Sequence, residues 1–454
     1  MSIYKPVIGL EVHVELNTKS KMFCSCSADY FGKAPNTHTC PVCLGLPGAL
    51  PYANKEAIRK CIQIGLALNC TISEDSLFER KNYFYPDLAK GFQISQLRWP
   101  LCVGGEIEVE SDFGEKSLIR INRVHQEEDT GKLSHLGGVT LIDFNRSGVP
   151  LVEIVTEPDF TDSSQIRDYA KKLQQIFRYL GVSNADMEKG DMRLEANVSV
   201  REVKSEEGRG TDFELPNYRV ELKNINSFRF IVAAVEFEIK RQINALEAGE
   251  KLHQETRGWD EDKKETYLQR SKEEANDYRY FPEPDLPGIK NQELRIKEIQ
   301  DGLPELPSAR IKKYIDQYGI SKTTAETLVA DESLAELFDG AVKLGLEENV
   351  PVKEVANYLV NSPTLASHLK GGKLNISPDE IVQAVKEKKS GKIEDEGELE
   401  KIAQEVISEN EKSVNDYKSG KESAIMALVG GVMRKTSGKA NAIRVKQILE
   451  RLLL

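Results

Sequence analysis

The stretch from Ile8 to Leu16 reads I-G-L-E-V-H-V-E-L, and its apolar and polar residues alternate along the chain. Alternation with a period of two predicts a β-strand with one apolar and one polar face. The apolar face carries Leu10, Val12, Val14 and Leu16, and the polar face carries Glu11, His13 and Glu15. We expect the apolar face to pack on a core. The polar face fits either a solvated edge strand or a set of ligands for a divalent cation, because a strand holds i and i+2 side chains parallel.

Four cysteines follow this strand at metal-ligand spacing. Cys24 and Cys26 form C-x-C, and Cys40 and Cys43 form C-P-V-C. Two close pairs of thiols joined by a short loop suit a tetrahedral Zn²⁺ ion, so structural zinc is the first interpretation. His38 lies between the pairs and could replace one thiol. A disulfide pair or buried free cysteines are the alternatives, and nothing in the sequence marks the exported chain that a disulfide would favour.

Composition and charge limit the class of protein. The chain has 454 residues, of which 39% are hydrophobic and 30% charged, as expected for a globular protein of two or three domains. No apolar run approaches the length of a membrane span, and the first six residues do not resemble a signal peptide, so we expect a cytoplasmic protein with no membrane partner. The net charge of −11 argues against a simple nucleic-acid coat, although a local basic patch could still bind RNA.

The region from Gly105 to Val155 predicts several more strands, separated by glycines. Acidic residues lie at the strand ends: Glu127 and Glu128 in H-Q-E-E-D-T-G-K, and Glu153 in the last strand. Such a group of carboxylates fits either a solvated hairpin or a set of oxygen ligands for Mg²⁺. Helices are predicted at Asn54–Leu68, Asp162–Leu180 and Ser227–Glu247.

Beyond about residue 293 the pattern becomes all-α, with short helices divided by prolines. The last segment is basic, and its cations face only Glu422 between residues 417 and 446, with Gly430-Gly431 as a flexible point. Such an excess of cations fits either contact with a phosphate backbone or a solvated helical face.

Several nucleotide and amidase signatures are absent from the sequence. It contains no G-x-x-x-x-G-K-[ST], no G-x-G-x-x-G, no protein-kinase H-R-D set and no glycine- and serine-rich amidase-like stretch. If ATP is used, metal and scattered cations must hold its phosphates. If ammonia is used, the chain shows no means of making it.

Long motifs resemble, over essentially the whole chain, the B-subunit family (GatB) of the bacterial tRNA-dependent amidotransferases. The matching stretches are I-G-L-E-V-H-V-E-L, C-P-V-C-L-G-L-P-G, R-K-N-Y-F-Y-P-D-L-x-K-G-F-Q-I-S-Q, H-x-E-E-D-x-G-K, N-R-S-G-V-P-L-V-E-I-V, L-K-N-I-N-S-F-R-F, Q-E-T-R-G-W-D and D-Y-R-Y-F-P-E-P-D-L. The resemblance implies an α+β fold, with a cradle-shaped mixed-sheet catalytic domain over residues 1–292, a helical domain over 293–395 and a small helical tail over 396–454 that touches tRNA.

The resemblance also implies a reaction. Members of this family use ATP to phosphorylate the side-chain carboxylate of misacylated Glu-tRNA(Gln), Asp-tRNA(Asn) or both. A partner amidase, the A subunit of the enzyme, supplies ammonia from glutamine to displace the phosphate. A small C subunit ties the other two together in a heterotrimer. The lack of an amidase signature fits this division of labour.

On this resemblance we expect an ATP-dependent site with Mg²⁺. The predicted catalytic residues are Glu11, His13, Glu127, Glu128 and Glu153, and the predicted Mg²⁺ ligands are Glu11, His13, Glu128 and Glu153. Because histidine is an unusual ligand for Mg²⁺, His13 could bind through water, or the site could accept Mn²⁺. The predicted phosphate-binding cations are Arg80, Lys81, Lys90, Lys132 and Arg146. The predicted tRNA contacts are Lys421, Arg434, Lys435, Lys439 and Arg444.

The chain departs from the family pattern at two places. Leu194-Glu195 stands where the family usually has Cys-Asp, and Ala442 stands where the tail motif usually has proline. The zinc prediction rests on the spacing of this chain's own cysteines. Two other functions compete with the one that the family implies: a zinc-stabilised RNA-binding scaffold with no chemistry of its own, and an ATP-dependent ligase that acts on a free amino acid.

Overall fold

A computed structural model describes residues 4–203, 215–225, 227–271, 277–290, 294–362, 376–390, 395–436 and 440–453. The chain divides into two compact units, Met1–Ala309 and Arg310–Leu454. A mixed sheet dominates the first unit and helices make up the second, which confirms the predicted α+β class. In the described part of the chain, no helix is both long and apolar enough to cross a membrane.

The first unit contains seventeen described strands and the first four helices. The strands are β1 (Tyr4–Glu15), β2 (Thr71–Ile72), β3 (Asp75–Ser76), β4 (Glu79–Asn82), β5 (Phe92–Ser95), β6 (Cys102–Val103), β7 (Glu106–Glu110), β8 (Lys116–Glu128), β9 (Lys132–Leu136), β10 (Val139–Asp143), β11 (Pro150–Thr156), β12 (Met192–Glu202), β13 (Val220–Ile225), β14 (Glu255–Asp260), β15 (Glu265–Ser271), β16 (Phe281–Pro282) and β17 (Ile289–Lys290). The helices are α1 (Lys55–Ala67), α2 (Ser163–Tyr179), α3 (Phe228–Glu247) and α4 (Ile296–Asp301).

One large sheet organises this unit. Its strand order is β15-β14-β13-β12-β1-β11-β8-β6-β2, with β7 also paired to β8. The strand predicted from Ile8–Leu16 is β1, which lies at the centre and pairs antiparallel with β11 on one side and β12 on the other. The pair β13–β14 is parallel. Smaller sheets join β9 to β10, β3 to β17, and β4 to β5 and β16.

The two faces of β1 differ as its alternation predicts. Ile8, Leu10, Val12 and Val14 are buried in the core. This core also contains Ile62 of α1, Leu173 of α2 and Val235 of α3, so the three helices cover the apolar face. Each helix begins at a side-chain cap, supplied by Asn54, Asp162 and Ser227 respectively. The opposite face of the sheet carries the polar residues of β1.

The second unit is helical. Its helices are α5 (Pro307–Tyr318), α6 (Lys322–Val329), α7 (Glu332–Glu347), α8 (Val352–Asn361), α9 (Pro378–Ser390), α10 (Glu396–Glu409), α11 (Glu411–Lys418), α12 (Ile425–Lys435) and α13 (Ala442–Leu453). A hydrophobic cluster joins α10, α12 and α13 through Leu399, Val406, Leu428 and Leu449. Gly430 and Gly431 lie inside α12, so the expectation of a flexible point there is wrong.

The adjacent glycines of α12 give a matched test of this packing. A Cβ on Gly431 would lie 2.7 Å from Cγ1 of Val406, whereas a Cβ on Gly430 would meet nothing within 4 Å. We expect Gly430→Ala to stabilise the helix by up to about 1 kcal/mol through helix propensity. Gly431→Ala should instead destabilise the unit, because overpacking costs about 1–3 kcal/mol and valine is stiff. Thermal unfolding of the full chain measures both, and equal effects would contradict the packing described.

Candidate active site

The register of β1 brings acids from distant parts of the chain onto the open face of the sheet. His13 lies opposite Glu153 of β11 and Arg193 of β12, and Glu11 lies opposite Glu195 of β12. On the next strand, His125 of β8 lies opposite Glu153. Because these residues share one phase of the pleat, their side chains all project from the same face.

The first group consists of His13, Glu127 and Glu153. One ligand atom from each lies within 4.8 Å of the others, so the group could hold a metal ion. His13 Nε2 lies 3.5 Å from Glu153 Oε2. His125 joins the group, with its Nε2 3.2 Å from Glu127 Oε1 and 3.3 Å from Glu153 Oε2. Three of the predicted catalytic residues therefore lie together.

Burial and charge act in opposite directions on this group. Burial raises the pKa of the Glu153 carboxyl, but His125 and His13 hold that pKa well below its ordinary value. Burial lowers the pKa of the His13 imidazole, but the Glu153 carboxylate more than offsets this and the pKa is raised. The shifts favour an anionic Glu153 beside cationic imidazoles when no other cation is bound.

The second group consists of Glu11, Glu195 and Glu221. Their carboxylates also lie within 4.8 Å of one another. Burial, together with the charges of Glu153 and Glu195, raises the pKa of Glu11. Lys223 partly neutralises the group, with its Nζ 2.8 Å from Glu195 and 3.0 Å from Glu221. The site thus contains two neighbouring sets of carboxylates on one sheet face.

A cavity of about 520 Å³ is lined by all three members of the first group and by Glu11 and Glu195 of the second. Lys81 and Lys132 line it, as do Tyr83 and Arg193. Among the described residues, no carboxylate oxygen lies within 4.0 Å of the Lys81 ammonium. The Lys81 Nζ lies 5.3 Å from the ring centroid of Tyr278, in the range of a cation–π contact. A lysine in this setting can receive an anionic ligand such as a phosphate.

Three other predicted cations are engaged elsewhere. The Arg80 guanidinium pairs with Glu283, at 2.7 and 2.8 Å. Arg80 and Lys90 line a separate cavity of about 180 Å³ beside the cysteine loop. Arg146 donates to the carbonyl oxygens of Thr130 and Gly131, at 3.0 and 2.9 Å. Of the five predicted phosphate-binding cations, the structure therefore brings only Lys81 and Lys132 to the carboxylate-lined cavity.

Glu128 is separated from the group that contains Glu127. Neighbouring residues of a strand point to opposite faces. The Glu128 carboxylate therefore turns away and accepts hydrogen bonds from the Lys90 ammonium and, at 2.9 Å, from the Ile94 N–H. The structure thus places Glu127, and not Glu128, with His13 and Glu153.

Sequence reasoning missed Glu195, Glu221 and Lys223. Each alternates with apolar residues on β12 or β13. The same period-two pattern that identified the polar face of β1 could therefore have identified these three residues. At the departure Leu194-Glu195, Leu194 is 1% exposed and belongs to the core, and both residues contribute to the cavity lining. The chain therefore keeps a carboxylate at the position where the family pattern usually has aspartate.

The four cysteines form a second cluster. Their Sγ atoms lie within 4.8 Å of one another, and those of Cys40 and Cys43 are 3.9 Å apart. A tetrahedral Zn²⁺ ion with Zn–S bonds of about 2.3 Å requires S–S separations of about 3.8 Å, so the thiols fit zinc. The hydrogen bond from the Cys24 thiol and the charge of Lys21 lower the pKa of Cys43 to about 5. His38 lies outside the cluster and offers its carbonyl oxygen to Lys21 Nζ at 2.8 Å.

The basic residues of the tail are partly neutralised by α10. Lys435 Nζ lies 3.0 Å from Glu405 and 2.6 Å from Glu409, and Arg444 lies 3.7 Å from Glu396. The expectation that these cations face only Glu422 is wrong, because α10 packs beside α12 and α13. Lys421 and Arg434 are two further predicted tRNA contacts. No acid within the described residues pairs with either of them. The remaining predicted contact, Lys439, lies outside the described residues.

The second departure from the family pattern lies at the start of α13. Ala442 is the first residue of this helix, a position where proline is also tolerated. Asn441 Oδ1 accepts from the N–H groups of Ile443 and Arg444, at 3.0 and 3.3 Å, and so caps the helix.

Comparison with known proteins places the chain in a family. A family model described as the GatB/GatE catalytic domain matches residues 6–297, and one described as the GatB domain matches residues 371–453. Relatives named as the B subunit of aspartyl/glutamyl-tRNA(Asn/Gln) amidotransferase occur in Thermotoga maritima, at 43% identity over 99% of both chains, and in Carboxydothermus hydrogenoformans, at 44% identity over 99% of this chain and 98% of the relative. A relative of the same name from Brevibacillus brevis is 43% identical over 100% of this chain and 99% of its own. The chain therefore belongs to the GatB family, the B subunits of the aspartyl/glutamyl-tRNA(Asn/Gln) amidotransferases.

Proposed function

We propose that the chain uses ATP to phosphorylate the side-chain carboxylate of misacylated Glu-tRNA(Gln), Asp-tRNA(Asn) or both. Ammonia from a partner glutaminase then displaces the phosphate to give Gln-tRNA(Gln) or Asn-tRNA(Asn), and a small third protein completes a heterotrimer. The names of the relatives support tRNA-dependent amidation. The observation that carries the kinase step is the cavity whose lining includes Lys81 together with Glu11, His13, Glu127, Glu153 and Glu195.

The chemistry explains why ATP is required. A carboxylate is a poor electrophile, because neither of its oxygens is a good leaving group. Transfer of the γ-phosphoryl group to one oxygen releases ADP and turns that oxygen into part of a phosphate leaving group. Ammonia then attacks the acyl carbon, the C–O bond to phosphate breaks, and an amide forms with loss of one proton.

The first carboxylate group fits a divalent cation. His13, Glu127 and Glu153 offer one nitrogen and two carboxylates within 4.8 Å, a donor set suited to Mg²⁺ or Mn²⁺. In this proposal Glu127, and not Glu128, is a ligand of the cation. Glu11 belongs to the neighbouring group with Glu195 and Glu221, which offers oxygen ligands of its own. A bound cation would neutralise charge on the ATP phosphates.

Other residues of the chain position the phosphates and the carboxylates. Lys81 and Lys132 line the cavity and attract phosphate oxygens. His125 Nε2 lies 3.2 Å from Glu127 Oε1 and 3.3 Å from Glu153 Oε2, so a proton on this nitrogen can be shared between the two carboxylates and orient them. Lys223 holds Glu195 and Glu221 in place, so a cation bound there must displace its ammonium. Catalysis on this proposal depends on positioning and charge neutralisation.

The kinase step can be tested by ADP formation. We expect the chain, assembled with its partner proteins, to form ADP from ATP with Glu-tRNA(Gln) and not with the same tRNA deacylated. Glu153→Gln should slow this reaction roughly 100-fold or more, because it removes the charge at the centre of the group.

Glu108→Gln is the matched control, since the Glu108 side chain is 56% exposed and pairs with Lys116 away from the cavity. Thermal unfolding of both variants separates loss of the site from loss of fold. Equal ADP formation with charged and deacylated tRNA would favour an RNA-binding scaffold. Full activity in Glu153→Gln would refute the metal assignment.

We propose a structural Zn²⁺ ion for the four cysteines. Purified protein should contain close to one zinc per chain, and Cys43→Ser should remove most of it, because three thiolates hold zinc less well than four. The control is Cys70→Ala, a buried cysteine outside the cluster, which should lose stability and keep zinc. Metal analysis by mass spectrometry decides the question: wild-type protein without zinc would refute the proposal.

We propose that the tail contacts the tRNA backbone through Lys421 and Arg434. Each change to alanine should weaken tRNA binding and reduce the slope of log K against log salt by about one, since each removes one phosphate contact. Lys343→Ala, an exposed lysine on α7, is the control. Filter binding at several salt concentrations measures the slopes. A similar loss in Lys343→Ala would show only a general charge effect and contradict a specific contact.

A further inference from the structure

Lys21 is fully buried beside the four cysteines. Its side chain is 0% exposed and is among the largest that the described part of the chain buries completely. A lysine is almost never buried to this extent unless its ammonium is paired, because a buried charge without a partner is costly. Among the described residues, no carboxylate oxygen lies within 4.0 Å of the Lys21 Nζ. The compensating charge must therefore come from another kind of group.

The Lys21 ammonium has three acceptors, one for each of its N–H bonds. Nζ lies 2.8 Å from the carbonyl oxygen of His38, 3.4 Å from that of Phe144 and 3.8 Å from the Sγ of Cys43. Both carbonyls are neutral, so the sulfur is the one acceptor of the three that can carry a full negative charge. The backbone N–H of Lys21 also donates to the Cys26 carbonyl oxygen at 2.9 Å. Lys21 thus contacts a member of each cysteine pair.

A zinc ion held by the four cysteines would supply the missing negative charge. One Zn²⁺ with four thiolates has a net charge of two minus four, or −2. The centre would be buried, since Cys24 and Cys43 are each 3% exposed. Burial of such an anion is costly unless a cation lies against it. The Lys21 ammonium is placed to offset one of the two charges.

Lys21 also lies where three parts of the chain meet. Its side chain reaches from the segment after β1 to the cysteine loop, at His38, and to the loop between β10 and β11, at Phe144. A Cβ on Gly148, in that second loop, would lie 3.6 Å from Lys21 Cδ and 3.5 Å from Cys43 Cβ. The aliphatic stem of the lysine and the cysteine therefore pack against the same glycine, just before β11 begins.

We infer that Lys21 is a positioning residue of the zinc centre, whose ammonium provides the counter-charge for the thiolates and orients Cys43. The inference rests on the proposed zinc site. An N–H group that donates to a thiolate draws electron density from the sulfur, so partners outside the ligand set influence both metal affinity and the electronic state of the centre.

The variant that tests this inference is Lys21→Met, because methionine is also unbranched and has no charge. We expect the Kd for zinc to rise about 10- to 100-fold, the usual effect of removing a partner of a metal ligand. Competition between the zinc-loaded full chain and a chromophoric chelator measures this Kd.

Lys60→Met is the matched control. Lys60 is 7% exposed, and its Nζ donates to the carbonyl oxygens of Asn17 and Gly181, at 3.3 Å each. It is a buried lysine with no thiol partner among the described residues. Lys60→Met should lower the unfolding temperature and keep the zinc affinity of the wild type. An equal loss of zinc affinity in both variants would show only a general loss of stability and overturn the inference.

Cobalt substitution separates the charge of Lys21 from its packing. In Lys21→Met the thiolate-to-cobalt charge-transfer bands should move to lower energy, because a thiolate that loses its hydrogen bond is a better electron donor. The d–d bands of a tetrahedral site should persist, since all four ligands remain. Charge-transfer bands identical to those of the wild type would overturn the inference.

Lys21→Gln keeps the test decisive if the methionine variant does not fold. Glutamine retains N–H donors for the buried carbonyl oxygens and removes the charge. A similar rise in the Kd for zinc supports the inference. Wild-type affinity in Lys21→Gln overturns it and leaves the structural zinc site standing, whereas wild-type protein that binds neither zinc nor cobalt overturns both. None of these outcomes bears on the kinase step, which ADP formation tests separately.

Discussion

The hydrogen-bonded ladder that holds β1 between β11 and β12 is the constraint on which the site depends. A slip of one residue in either pairing would turn every side chain of a strand to the other face. The buried row Ile8, Leu10, Val12 and Val14 prevents that slip, because it would expose the row to solvent. The same row therefore secures the core and fixes the direction in which Glu11 and His13 point.

The clustered charges on the open face are not expected to stabilise the folded state. Buried carboxylates that lie close together repel one another, and burial adds a desolvation cost for each charge. Two histidines and Lys223 offset part of this repulsion. Ionisable groups held so close in a cavity are more often explained by a ligand than by folding, which agrees with the proposal of a phosphoryl-transfer site.

Local pattern in the sequence predicted a good part of this arrangement. The alternation in β1 and the acids of β8 and β11 made Glu11, His13, Glu127 and Glu153 candidates, and the resemblance to the family assigned them to the site. Glu195 and Glu221 were not predicted. They reach the site because β12 pairs with β1 and β13 pairs with β12, and a local stretch of sequence does not reveal such pairing between distant strands. The choice between Glu127 and Glu128 depended on which face of β8 is packed.

Two of the cations predicted to bind phosphate or tRNA are paired with acids of the chain. Arg80 was predicted to hold phosphate, but Glu283 occupies its guanidinium. Lys435 was predicted to face tRNA, but Glu405 and Glu409 occupy its ammonium. In both cases the partner lies far away in sequence, or on another helix, so a count of nearby charges overestimated the number of free cations.

The central position of β1 also has a consequence for local unfolding. Its backbone bonds to a neighbouring strand on each side, so its amide hydrogens exchange with solvent only when the middle of the sheet opens. Loops and edge strands such as β15 open at lower free energy. The floor of the site therefore belongs to the slowest-exchanging part of the unit, and it persists through fluctuations that detach the edges of the sheet.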